Sequence, residues 1–209
     1  MATIPKKVRN LRRKDERPQE ILDAALQEFA MNGFASAKLD DVAERAGISK
    51  GTIYLYFSCK EDLFKAMVKN KIVSILQDAE EQVALHRGAQ EELIRQMLKN
   101  IIKHFENDEL VHITRLIISE GSRFPDLKEF YYHEVIKRGM ELARTIIARG
   151  IECGEFRKSA IIEFPHLLQS PIMISFLWKS LFDEHKDMDM NALTDAHLDI
   201  LFYGLRKIN

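Results

Sequence analysis

The chain has 209 residues, of which 46% are apolar and 30% charged, with 31 Lys and Arg against 32 Asp and Glu. That mixture excludes a disordered or fibrous chain and leaves room for one large domain or a small one joined to a larger one. The longest apolar stretch, PIMISFLW at 171–178, is well short of the ~20 residues a membrane helix needs. Cys59 and Cys153 stand in no metal or redox spacing, so neither a disulfide scaffold nor a metal or other cofactor is expected, and a cytoplasmic setting is.

The near-neutral total hides an asymmetry. Through residue 60 there are 11 basic and 8 acidic residues, which leaves a net −4 for the remainder. Residues 1–14 form a basic arm, with Lys6, Lys7, Arg9, Arg12, Arg13 and Lys14 and no acidic residue. Such an arm either binds phosphates or is a solvated terminus. No apolar run follows it, so a secretory signal is not expected.

In chain order, Ile21, Leu22, Ala25, Leu26 and Phe29 make one helical stripe, with Pro18 suited to its first turn and Gly33 to its end. Leu39, Val42, Ala43 and Ala46 repeat the stripe in a short segment closed by Gly47. A shorter segment covers 50–57, with Ser49 as N-cap. Ser58 and Glu61 have the spacing of a capping box, ahead of a long helix running to about Leu85. Gly88 breaks the pattern. Helical stretches then follow near 89–106, 109–121 and 125–150, punctuated by Gly121, Pro125, Gly150 and Gly154. Pro165 and Pro171 predict a kink or split within 160–183, and a last helix covers about 191–207. No period-two strand, internal repeat or low-complexity tract is visible. The expected fold is all-α with about nine helices. A small N-terminal unit joins a larger C-terminal bundle through the long helix.

Residues 39–57, LDDVAERAGISKGTIYLYF, carry the informative spacing. Two helices crossing at a tight turn need a small residue where they touch, and Ala43 supplies it. The turn needs a residue that takes positive φ, and Gly47 supplies it. Val42, Ala46, Ile48, Ile53 and Tyr56 would share the core. This is helix-turn-helix spacing, in which the second helix enters the major groove of DNA. The same stretch fits G-x-S-x-G at Gly47–Gly51, which in a serine hydrolase would make Ser49 the nucleophile. That elbow needs a strand before the serine, and the residues ahead of Ser49 have helical period.

The segment 33–63 resembles the DNA-binding domain of the TetR family of bacterial transcriptional regulators. The resemblance rests on Gly33-Phe34, Val42-Ala43, Ala46-Gly47-Ile48-Ser49, Gly51, Ile53-Tyr54, Phe57, Lys60-Glu61 and Leu63. The tract GIECGEFR at 150–157 resembles a family turn. Ala37 and Lys38 depart from the usual Thr or Ser, and Cys59 stands where a polar cap is usual. The resemblance implies a helix-turn-helix domain at 15–62 and a ligand-binding and dimerisation domain at 63–209.

The resemblance also implies DNA-contacting roles. Ser49 and Thr52 offer hydroxyls, and Lys50 reaches a base edge or a phosphate. Gly51 permits close approach, and Tyr54 and Tyr56 present phenols. Leu55 meets a thymine methyl and Lys60 brings charge to a phosphate, while Lys38, standing where the family usually has a hydroxyl, offers an ionic phosphate contact instead. A homodimer on a palindromic operator is implied, formed through 171–182 and 191–207. A lipophilic or aromatic effector is implied as well, releasing a repressor from its operator. Candidate lining residues are Met97, Ile101, His104, Phe105, Leu116, Glu120, Phe124, Phe164, Leu168, Met173, Phe176 and Trp178. The competing readings are a DNA-associated protein without an effector, and a hydrolase using Ser49.

Overall fold

A computed structural model describes residues 6–105, 108–182, 184–185 and 188–206, with side chains from residue 17 onward. The first five residues of the basic arm, the arm's side chains, and residue 207 of the last predicted helix lie outside this description. The described residues are 80% helical, with no strands, and form nine helices when each π turn is counted with the helices it joins. They pack as two compact units. One comprises the chain through Asn70 together with His112–Lys128; the other comprises Lys71–Val111 and the chain from Glu129 onward.

In the first unit, α1 (Lys6–Ser36) buries the predicted stripe, with Ile21, Ala25 and Phe29 almost wholly inside. It begins well upstream of Pro18, which therefore lies inside the helix rather than in its first turn. Proline there removes one rung of the ladder, and the flanking turns carry the helix through. Gly33 breaks the helical run with φ 73° and ψ 158°, a conformation that costs least in a residue without Cβ. The chain then enters α2 (Leu39–Arg45) and α3 (Lys50–Ile53). Next comes α4 (Lys60–Val68), where Leu63, Phe64 and Met67 are fully buried. Phe29, Phe34 and Phe64 stack together with ring centres 5.3–6.4 Å apart. Phe124 meets Phe34 edge-on at 4.8 Å, so residues far along the chain complete this core.

The predicted capping box before α4 does not form. Cys59 holds the N-cap position without a side-chain capping bond, and Ser58 donates to Asp62 instead of pairing with Glu61. That bond holds the Asp62 carboxyl below its ordinary value.

A π turn (Lys69–Val73) joins α4 to α5 (Ser74–Leu85). The second unit continues with α6 (Gln90–His104) and the start of α7 (Asp108–Glu120). After α8 (Pro125–Tyr131), a second π turn (Tyr132–Lys137) leads into α9 (Arg138–Glu152). Then come α10 (His166–Leu181) and α11 (Met190–Leu205). Its core gathers Leu93, Ile94, Leu98, Ile146, Ile147, Leu198 and Phe202 from three helices, α6, α9 and α11. Each such side chain contributes about 1.5–3 kcal/mol on burial.

The tract at 150–157 locks these helices. Gly154 turns the chain at φ 79°. Phe156 folds back onto Gly150, where a Cβ would stand 2.2 Å from its ring, and stacks on Phe202 with centres 6.1 Å apart. The Glu155 carboxylate accepts from the backbone N–H groups of Gln90 and Glu91 at 2.7 and 2.8 Å. It thus caps α6, whose own N-cap residue is Ala89.

The break expected between 160 and 183 occurs at Pro165, the N-cap of α10, and the helix then runs unbroken through Pro171. Pro171 cannot donate to the Leu167 carbonyl. Ser170 Oγ donates there at 2.9 Å.

Candidate nucleic-acid interface and ligand cavity

The turn between α2 and α3 closes by backbone bonds. Gly47 N–H donates to Glu44 at 3.0 Å and Ile48 N–H to Ala43 at 2.9 Å, with Gly47 at φ 65°. Val42, Ala43 and Ile53 are fully buried, while Ala46, Ile48 and Tyr56 are half-buried. A buried carboxylate braces the pair: Glu28 of α1, 3% exposed, accepts from Arg45 at 3.0 and 3.3 Å and from Asn32 at 2.5 Å.

Ser49 caps α3, its Oγ accepting from Thr52 N–H at 3.2 Å and lying 2.8 Å from Thr52 Oγ1. Ser49 thus follows a helix and a turn, so no strand stands where a nucleophile elbow requires one. Lys38, Lys50, Gly51, Tyr54 and Leu55 are exposed, Leu55 by 84%, and Thr52 is half-buried. Lys38 sits at the N-cap of α2 without making a capping bond. Lys50 Nζ donates to Asp40 Oδ2 at 2.6 Å, and this partner raises the lysine above its ordinary pKa.

Lys60, expected to bring charge to phosphates, is engaged within the protein. Its ammonium donates to the carbonyls of Phe34, Ala35 and Ala37 at 2.7, 2.8 and 3.4 Å, and it lies 4.8 Å from the Phe34 ring centre. The Gly33 break leaves these carbonyls outside the regular ladder, and they take the ammonium's three donors.

In the second unit, α5, α6, α9 and α10 enclose an apolar cavity of about 60 Å³. Predicted residues Met97, Ile101 and Leu168 line it, with Ile94, Leu142 and Ile172 among the others. Its one polar side chain is Gln169, which the sequence reading missed. Gly139 faces Gln169, and a Cβ there would stand 2.9 Å from the amide nitrogen. A second hollow of about 240 Å³ shares Ile75, Ala79, Met97 and Ile101 with the first and adds His104, Lys103, Asn100, Gln82 and Asp78.

The remaining candidates lie elsewhere. Leu116, Glu120 and Phe124 belong to the first unit. There Glu120 pairs with Arg123 at 3.6 Å and Phe124 packs on Phe34. Phe105 and Phe176 are buried, Phe164 and Met173 are exposed, and Trp178 is half-buried with Phe182 at 5.3 Å. Among the described residues no cluster of His, Cys, Asp and Glu has the arrangement of a metal site. No described helix is long and apolar enough to cross a membrane.

A helix-turn-helix with an exposed α3, carried by a chain whose second helical unit holds an apolar cavity, defines a DNA-binding transcriptional regulator. Residues 21–67 match the family described as bacterial regulatory proteins, tetR family, and residues 92–195 match the C-terminal domain of AefR-like transcriptional repressors. The chain belongs to the TetR family of bacterial transcriptional regulators.

It is similar to the fatty acid metabolism regulator protein of Bacillus subtilis, 25% identical over 196 residues that span 93% of this chain and 99% of that protein. The fold matches that of Bacillus subtilis FadR in complex with stearoyl-CoA, with TM-score 0.74 at 24% identity, covering 89% of this chain and 98% of that one. It also matches the SmeT–triclosan complex, with TM-score 0.78 at 20% identity, covering 91% of this chain and 92% of that one. SmeT is the repressor of the Stenotrophomonas maltophilia multidrug efflux pump SmeDEF.

Proposed function

We propose that this protein is a homodimeric repressor that binds a palindromic operator and is released by a lipophilic effector. Residues 15–62 read DNA in this reading, and 63–209 pair the protomers and bind the effector. The carrying observation is the Gly47 turn with its exposed α3 face, in a chain that also holds an apolar cavity with a single polar side chain.

The apolar side chains left exposed support pairing. Leu167, Ile174, Leu177 and Leu181 recur at helical spacing on α10, and Ile200 and Tyr203 are exposed on α11. Such a patch favours a self-complementary interface.

The effector in this reading has an apolar body and one hydrogen-bonding group for Gln169. Triclosan, in complex with one similar protein, has an apolar body and a phenol, and stearoyl-CoA, in complex with another, offers its acyl chain as the apolar body. A cavity of 60 Å³ is far below the ~300 Å³ of an ordinary ligand pocket. Binding therefore selects a wider arrangement of α5, α6, α9 and α10 and shifts the population away from the DNA-binding form.

Selection of bound duplexes from a random pool tests the DNA reading, and one enriched palindrome is expected. Stearoyl-CoA and triclosan are then titrated into the complex, with Trp178 fluorescence reporting binding. At least one is expected to lower operator affinity fivefold or more, which is ~1 kcal/mol of coupling. Enrichment of no sequence sinks the DNA reading. Ligand binding that leaves operator affinity unchanged favours the regulator without an effector.

A further inference from the structure

Asp40 is not among the residues expected to meet DNA, yet it holds Lys50, an exposed lysine just after the turn. It is the second residue of α2, and Lys50 is the first of α3. Their polar atoms lie 2.6 Å apart, with side chains 34% and 73% exposed. A lone lysine is a flexible point charge that takes any phosphate within reach. A carboxylate beside it changes that preference, because it repels the phosphate oxygens the ammonium would otherwise seek.

The pair is instead matched to a base edge. In the major groove a G·C pair presents the N7 and O6 acceptors of guanine next to the N4 amino donor of cytosine. An ammonium donates to the first two while a carboxylate accepts from the third. Guanine O6 and cytosine N4 are hydrogen-bonded to each other at ~2.9 Å, close to the separation of Lys50 Nζ and Asp40 Oδ2. An A·T pair also sets a donor beside an acceptor. There, however, the acceptor O4 stands next to the thymine methyl, and the ammonium loses its second acceptor.

We propose that Lys50 and Asp40 together read one G·C pair in each half-site, with Asp40 the specificity determinant. This rests on the DNA-binding reading above.

The experiment is selection from a random duplex pool with the full-length wild type and the Asp40→Asn and Asp40→Glu variants, each first checked for native circular dichroism. Affinities are then measured on the enriched operator with each G·C position replaced by A·T. For the wild type, one position per half-site discriminates about tenfold or more. In Asp40→Asn that position alone falls to about twofold or less, and in Asp40→Glu the preference is retained in part. On a scrambled duplex, Asp40→Asn binds more tightly, and its salt slope steepens by about 0.9 as Lys50 turns to a phosphate. An operator whose G·C preferences are the same in wild type and Asp40→Asn overturns this inference and leaves the DNA-binding reading intact. A wild type that enriches no sequence overturns both.

Discussion

At the scale of single residues, Lys60 shows how a surface charge becomes a structural one. Its three protein acceptors are the carbonyls of Phe34, Ala35 and Ala37, and the Phe34 ring lies beneath it. Lys60→Met keeps the apolar stem and removes the donors. It is expected to destabilise the protein by about 1–3 kcal/mol in urea unfolding. The salt slope of operator binding should stay as it is. A slope shallower by about 0.9 would return Lys60 to the phosphates. Gly47 and Ser49 were legible in the sequence because each role is local, a positive φ and a bond three residues on. Lys60, Glu28 and Asp40 were not, because their partners lie 10 to 26 residues away. Periodicity shows that a helix face is buried, not what it is buried against.

At the scale of elements, the defect that Pro171 creates in α10 bears on His197 of α11. The Leu167 carbonyl loses its helical donor, takes Ser170 in its place and favours the charged form of the His197 ring. His197 Nε2 is buried without a hydrogen-bond partner. Burial holds the imidazole below its ordinary value of 6.5, and the Leu167 carbonyl only partly offsets this. The unfolded ring therefore takes up a proton at pH values where the folded ring does not. The stability contribution is complete above about pH 6.5 and is lost as the pH falls below it. Urea midpoints between pH 7.5 and 5.5 are expected to fall less in His197→Gln than in wild type, and equal slopes would refute the assignment. The sequence showed that prolines interrupt 160–183. It did not show which one ends a helix, because that depends on whether a nearby side chain can satisfy the freed carbonyl.

At the scale of the whole molecule, the all-α class and about nine helices were readable from period and punctuation, and the described residues agree with both. The cavity was readable only in part. Met97, Ile101 and Leu168 line it, but an apolar side chain facing a cavity and one facing solid core make the same pattern. Leu177 tests the proposed pairing. Leu177→Glu places a charge within the exposed apolar stripe of α10. In light scattering its mass is expected to fall from a dimer's to the 24.3 kDa of one chain. Operator affinity should drop about a hundredfold with the loss of joint engagement of two half-sites. Urea stability of the chain should move by less than about 0.5 kcal/mol. A dimer that survives the substitution would place the contact elsewhere.

The Phe34–Phe124 contact bears on how such proteins are recombined. His112–Lys128 packs with the chain through Asn70 and supplies the ring that closes over Phe34. The DNA-reading part is therefore not a cassette that a single cut near residue 62 or 70 can lift out. A chimera made that way would graft a foreign α7–α8 corner onto Phe34 and Lys60. Swapping operator preference between relatives calls for two exchanged segments, and natural crossovers that carry only the first would be selected against.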